Sequence, residues 1–327
     1  MTQVHILNPF DNPFGGSEQR ALELHALLLP HAEVTLWAAE PPHDFFRRRW
    51  PIRTIDADSG SLPQGGTVVI VGPYFPAERV FRLLRPRRLI YVYNTPSPNL
   101  FRRRLELARA LTGVEPEIVY ASPEGARQIG LPGRVEASPI DLQRFHPAWR
   151  PAARREQDGF VVGRLSRDVP EKHHPGDIAL YRQALERGWS LRMMGATCLA
   201  GPMGAALYQR IASLPCGAVP PEDFLAGLDC FYYRVSDGWE EAFGRVILEA
   251  MASGLPVVCD GKVGAAKLIT NGEDGFVIDS SEAAWAALAR LSDDAALRAR
   301  VGAAARRRAE AVYSEAYAGE LVAYYLR

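Results

Sequence analysis

The sequence predicts an α/β protein of two Rossmann-like domains, each built on a parallel sheet and facing the other across a cleft. Three observations carry that reading. At 327 residues the chain exceeds what one hydrophobic core usually serves. Short aliphatic runs alternate with longer amphipathic segments, the pattern of repeated βα units. The alternation stops once, at "SPIDLQRFHPAWRPAARREQDG" (Ser138–Gly159), a stretch of proline and charge without a period, and then restarts. A boundary near residue 150 follows, with one domain over 1–150 and the second from 151 onward.

In the first half the apolar runs predict strands at Val4–Leu7, Val34–Trp37, Thr67–Val71, Leu89–Tyr93 and Glu117–Ala121, with a short one at Arg134–Ala137. Helices are expected at Ser17–Leu29, Ala77–Leu84, Asn99–Leu111 and Pro123–Gln128. The second half predicts strands at Phe160–Ser166, Leu191–Ala196, Leu228–Arg234, Leu255–Asp260 and Gly275–Asp279. Beyond them Ser281–Arg327, rich in Ala, Arg and Leu, reads as almost wholly helical. Ligands of such sheets bind beyond the carboxyl ends of the strands, so function is sought in the loops there.

Composition narrows the classes. With 47% hydrophobic and 23% charged residues the chain reads as globular, and a formal net charge of zero argues against a general nucleic-acid binder. Cys198, Cys216, Cys230 and Cys259 show no C-x-x-C spacing, so neither a zinc site nor a disulfide framework is expected. No segment approaches the ~18 apolar residues of a membrane span. A cytoplasmic location is expected, with any membrane contact peripheral, at the inner face. The runs "FFRRRW", "FRLLRPRR" and "FRRR" of the first half are either solvated helix faces or a means of approaching an anionic membrane or acceptor. Of 38 basic residues only Lys172, Lys262 and Lys267 are lysine, which singles out each of them.

Two loops could hold a phosphate. After the first strand, Gly15 and Gly16 precede Ser17 at a helix start, where free amides favour an anion; read structurally, the pair is a tight turn. The corresponding loop of the second half, "GRLSRDVPEKHHP", offers Arg164, Arg167 and Lys172 beyond a buried strand. It is either a solvated basic loop or a diphosphate site. His173 and His174 are adjacent and make a poor metal pair.

Glu241 and Glu249 raise a different question. Glu249 stands among Val246, Ile247, Leu248, Ala250, Met251 and Ala252, and a buried carboxylate needs strong donors. A ribose diol would supply them, and so would an arginine in an internal salt bridge. If the helix begins near Gly244, the amides of Phe243, Gly244, Arg245 and Val246 are first-turn donors suited to phosphate oxygens.

Together, "EAFGRVILEAMASGLPVV" (Glu241–Val258), "GGSEQR", "VVGRLSRDVPEKHHP" and "ITNGEDGFVI" resemble the motifs of the retaining nucleotide-sugar glycosyltransferases of family four, which have the GT-B fold. The Glu, seven residues, Glu spacing is the specific part, and the resemblance covers most of the chain. It implies that Gly16 approaches the donor diphosphate, with Gly15 beside it. It further implies that Arg164 and Lys172 neutralise the diphosphate, and that the amides of Phe243, Gly244 and Arg245 complete the cradle. Glu249 would bind the ribose, Val219 the base, and Glu241 the donor sugar. A last helix, from 313 to 327, would return to the first domain, leaving 151–312 as the donor domain. Asn94, on the acceptor side, stands where the family often has a His, Asp141 is retained in "SPID", and Lys267 stands where a Glu is expected.

The implied function is metal-independent transfer of a sugar from a nucleotide diphosphate-sugar to an acceptor hydroxyl, with no cofactor. The acceptor would be a sugar, a lipid-linked molecule or a small molecule. Two rivals remain: a metal-dependent transferase using "IDAD" (Ile55–Asp58) as a D-x-D site, and a non-catalytic nucleotide-sugar-binding or partner subunit of the same fold.

Overall fold

The computed structural model describes residues 2–75, 77–149 and 159–327. The backbone packs as two units, one of residues 1–139 with 314–327, the other of residues 140–313.

The first unit is a seven-stranded parallel sheet: β1 Gln3–Leu7, β2 Glu33–Ala38, β3 Ile52–Thr54, β4 Thr67–Val71, β5 Arg88–Tyr93, β6 Glu117–Tyr120 and β7 Arg134–Val135, in the order β3-β2-β1-β4-β5-β6-β7. Both faces are covered, which is why β4 and β5 read as unbroken apolar runs. Alternate residues divide between two cores. Val68, Ile70, Leu89 and Tyr91 face one side with Phe81 and Phe101. Val69, Val71, Ile90 and Val92 face the other with Leu24 and Leu28 of the helix Gly16–Leu28.

The helix Glu315–Leu326 belongs to this second layer, and Tyr325 is fully buried in it. What fixes it is polar. Arg20 donates to Glu136 at 2.8 Å with both side chains buried, and the Tyr325 hydroxyl donates to the same carboxylate at 3.1 Å. Nearby, Arg88 forks onto Glu117, which also takes Tyr324 and Arg327. These partners hold the Glu117 carboxyl down at about 2, Arg88 first, against the opposing effect of burial.

The second unit is a six-stranded parallel sheet: β8 Val161–Leu165, β9 Ser190–Met194, β10 Ala212–Leu214, β11 Cys230–Tyr233, β12 Val257–Asp260 and β13 Phe276–Ile278, in the order β10-β9-β8-β11-β12-β13. The chain runs outward from β8 through β9 to β10, then crosses to β11 and runs the other way. The carboxyl ends of β8 and β11 therefore flank the point where strand order reverses, where such sheets form a crevice. In the first unit β1 and β4 stand in the same relation.

All eleven expected strands are present. β3 and β10 were not expected, because three-residue edge strands leave no period to detect. The division between units falls at Pro139 and Ile140, ahead of the expected boundary near 150. Residues 140–149 pack with the second unit: Arg306 donates to the carbonyls of Leu142 and Phe145, and Arg144 pairs with Glu222 at 2.8 Å. The rest of the expected linker, residues 150–158, lies outside the described residues.

The buried Arg20–Glu136–Tyr325 cluster makes a stability prediction. Arg20→Met strands a buried carboxylate and should cost ~3–5 kcal/mol, whereas Tyr325→Phe loses one charge-assisted hydrogen bond and should cost ~1.5–3 kcal/mol. Denaturant unfolding measures both, and equal small losses would show that the cluster does not hold the helix.

Candidate functional site: the crevice between β8 and β11

Arg164 lies on β8, next to the strand-order reversal, with Gly163 before it because a Cβ there would lie 2.3 Å from Leu228. Its residue is 1% exposed, and among the described residues none of its three guanidinium nitrogens has a hydrogen-bond partner. The group stacks 4.7 Å over the Tyr233 ring and feels the field of Asp177. Stacking of this kind returns ~0.5–2 kcal/mol, while burying an unpaired cation costs several. An arginine left this way is suited to an anion that brings its own acceptors.

Lys172 and Glu241 meet beside it. Lys172 closes a short 3-10 turn, Pro170–Lys172, and its Nζ donates to Glu241 Oε2 and lies 3.4 Å from the Tyr233 hydroxyl. Tyr233 donates to the same carboxylate oxygen at 2.9 Å. Burial opposes ionisation of Glu241, but Lys172, then Tyr233, outweigh it and hold the carboxyl below its usual range. Trp239 forms a wall: Lys172 Nζ is 5.2 Å from its ring centroid and the Arg167 guanidinium 5.9 Å.

The loop that carries these cations is pinned from both sides. Asp168 accepts from the amides of Thr197 and Cys198 and from the Thr197 hydroxyl. His173 is within 3.1 Å of the Gly195 carbonyl, and burial, then the Arg164 charge, depress it to about 3. It is therefore neutral, with Nε2–H donating. Gly195 has φ +79°, and a Cβ there would lie 1.9 Å from the Ser166 carbonyl, so only glycine lets the two loops touch. Beneath, Asp177 takes the Tyr232 hydroxyl at 2.8 Å and Arg234 at 3.2 Å.

The helix Arg245–Ala252 follows Gly244, which is left-handed at φ 82° and caps it. In its first turn the Ile247 amide donates to the Gly244 carbonyl at 3.0 Å. Glu249 is 7% exposed, and Arg245, one turn earlier, approaches its carboxylate at 3.4 Å. Burial raises its pKa, while Arg245 and Arg144 pull the other way. The internal pairing weighed from the sequence is thus present. The Arg245 side chain serves Glu249. Val219, half exposed, precedes the helix Pro221–Ala226, whose Glu222 binds Arg144. Phe243 is buried, and its carbonyl accepts from the Ala265 amide.

In the first unit, Gly15 is the N-cap of the helix Gly16–Leu28, and a Cβ on it would lie 1.9 Å from Glu18 Oε2. The start of this helix therefore already holds a carboxyl, which accepts from the Glu18 and Asn12 amides and shares a hydrogen bond with Asp11. Gly16 is exposed. Asn94 follows β5, and its Oδ1 converges with Ser17 Oγ over Gly72, where φ is +87°. Asn8 ties these loops by donating to Ser17 and to the Val71 carbonyl, both at 2.9 Å.

Asp56 and Asp58 form a local turn, the Asp58 amide donating to the Asp56 carboxylate. Among the described residues no three His, Cys, Asp or Glu side chains are grouped to share a metal ion, and no helix is long and apolar enough to cross a membrane.

Sequence reasoning missed Tyr233, Trp239, Arg144, Asp168 and Asp177. "YYR" reads as plain strand, and nothing in the spacing shows that one of its rings backs Arg164. Trp239, two residues before Glu241, was the one available signal.

Glu18 carries a pH prediction. Burial, foremost, and the Asp11 carboxyl raise its pKa from 4.5 to about 7. The folded protein thus keeps the proton that the unfolded chain releases, so the stability it contributes is present below its ordinary pKa and is lost as pH rises through about 7. Glu18→Gln, which resembles the protonated form, should stabilise by ~1–3 kcal/mol at about pH 8 and change little at about pH 5. Equal melting shifts at both pH values would show that Glu18 does not titrate in this way.

Residues 147–308 match the family model described as "Glycosyl transferases group 1". D-inositol 3-phosphate glycosyltransferase of Pseudarthrobacter chlorophenolicus is 30% identical over 239 residues, 66% of this chain and 56% of that protein. The capsular polysaccharide biosynthesis glycosyltransferase CapM of Staphylococcus aureus is 25% identical over 166 residues, 48% of this chain and 43% of that protein. The chain thus spans about half the length of the curated relatives it matches. Among solved structures, Anabaena HepE in complex with UDP and glucose superposes with a TM-score of 0.75 at 16% identity, covering 99% of both chains. The chain therefore has the GT-B fold and carries, over residues 147–308, a glycosyl transferases group 1 domain.

Proposed function

We propose that the chain is a retaining glycosyltransferase that moves a sugar from a nucleoside diphosphate sugar to an acceptor hydroxyl. The observation that carries this is Arg164, buried and, among the described residues, without hydrogen-bond partners, beside Lys172 and Glu241 at the strand-order reversal of the second unit. The diphosphate of the donor lies against Arg164, Lys172 and the first amides of the helix Arg245–Ala252. Glu249 takes the ribose hydroxyls, Val219 adjoins the base, and Glu241 takes hydroxyls of the sugar. UDP is the nucleotide bound in the HepE structure, and it is the first candidate here.

As the bond from the anomeric carbon to the leaving phosphate oxygen breaks, its electron pair passes to the diphosphate. Arg164 and Lys172 stabilise that charge in the transition state more than in the bound donor. The acceptor oxygen bonds to the anomeric carbon from the same face, and its proton passes to the departing phosphate. This chemistry asks no metal and no cofactor of the protein. Asn94 would orient the acceptor by hydrogen bonding, since an amide does not take up a proton as an imidazole would. The acceptor is a sugar, a lipid-linked molecule or a small molecule. The exposed arginines Arg47 and Arg48 would favour a peripheral approach to an anionic membrane.

A thermal-shift series with UDP, GDP, dTDP and ADP tests the reading. One of them should stabilise the protein by ~2.7 kcal/mol at a hundredfold excess over its Kd. Lys172→Ala should fold, lose that shift and lose transfer by ~100-fold or more. Absence of a shift with all four would contradict the proposal, and binding without transfer to any acceptor would favour the non-catalytic binding subunit.

A further inference from the structure

The two buried cations of the crevice differ in one respect. Arg164 has idle nitrogens, whereas the Lys172 ammonium is held by Glu241 and neighbours the Tyr233 hydroxyl. Lys172 is 7% exposed, and the Glu241 side chain is 15% exposed. Any diphosphate that recruits Lys172 therefore competes with Glu241 for it. Burial, first, and the charges of Arg167 and Arg164 disfavour the ammonium, while Glu241 favours it.

The exchange has unequal consequences for two ligands. A bare nucleoside diphosphate takes Lys172 and offers Glu241 nothing, leaving a mostly buried carboxylate with Tyr233 alone beside new negative charge. Such a carboxylate is expensive. A nucleoside diphosphate sugar brings hydroxyl donors on the same molecule, which can replace the ammonium on Glu241.

We propose that the Lys172–Glu241 pair is a specificity device that penalises the sugar-free nucleotide, so that this chain holds the sugar-bearing donor and releases the nucleoside diphosphate left after transfer. Glu241 acts as a competitor for Lys172 as well as a sugar contact. The inference rests on the reading of the crevice as a nucleoside diphosphate sugar site. It predicts a coupling that neither residue alone produces, since the sugar hydroxyls and the phosphates are linked through one ion pair.

The test is calorimetric titration of wild type and Glu241→Gln with the nucleoside diphosphate that stabilises wild type, and with its glucose conjugate. Glutamine keeps hydrogen-bonding capacity toward a sugar and holds no ammonium. The variant should bind the nucleoside diphosphate at least ~5-fold tighter and narrow the preference for the sugar-bearing form by a similar factor. Glu241→Met, of similar length and without charge, is titrated alongside, so that a folding failure of one variant leaves the other to decide. If wild type binds the nucleoside diphosphate and the folded variants bind it no tighter, the device is overturned while the site stands. A variant that only melts lower, at unchanged affinity, makes the pair structural and overturns it too. If wild type binds none of the four nucleoside diphosphates, the reading of the site falls and the device with it.

Discussion

The polar interior of the second unit is arranged around a guanidinium that, among the described residues, has no hydrogen-bond acceptor. Arg164 sits on a central strand, closed off from water, with an aromatic ring below it. Proteins rarely leave a buried charge in this condition, because its desolvation is not repaid. The surrounding choices make sense as ways of tolerating it. Tyr233 supplies a ring face, and Asp177 supplies a field while its Oδ1 accepts from Tyr232 and Arg234.

The loops around Arg164 are held where this arrangement needs them. Asp168 fastens the loop after β8 to the turn after β9, and neutral His173 with Gly195 closes the same contact from below. A charged His173 would add a further cation to Arg164, Arg167 and Lys172, and burial with the Arg164 charge keeps it neutral. Unlike Arg164, Lys172 is satisfied, by Glu241, and a phosphate that recruits it competes with that carboxylate. Stability and recognition thus compete for the same ammonium.

Much of this was legible in the sequence, and the reasons differ by residue. The strands of both sheets were readable because two covered faces demand unbroken apolar runs. Glu249 stood out because a carboxylate is improbable among such apolar neighbours, Glu241 by its spacing from Glu249, and Lys172 because arginine is this chain's usual cation. What could not be read depends on contacts between segments distant in sequence. Arg144, 105 residues before Glu249, adds to the field on it, and the Gly15 turn proved to be filled by Glu18, since a glycine pair reveals room but not its occupant. The unit boundary lay earlier than composition suggested, because Arg144 and Phe145 are claimed by side chains of the second unit.

If Arg164 is retained for an anion and against stability, replacing it should separate the two. Arg164→Met keeps the length and the apolar contact with Tyr233 while removing the unpaired charge. Melting temperature with and without a saturating nucleoside diphosphate is the direct measurement. The account predicts an equal or higher melting temperature without nucleotide and loss of the nucleotide-induced shift. A variant that melts well below wild type and still shifts with nucleotide would mean that Arg164 is a structural residue and the crevice is not built around an anion.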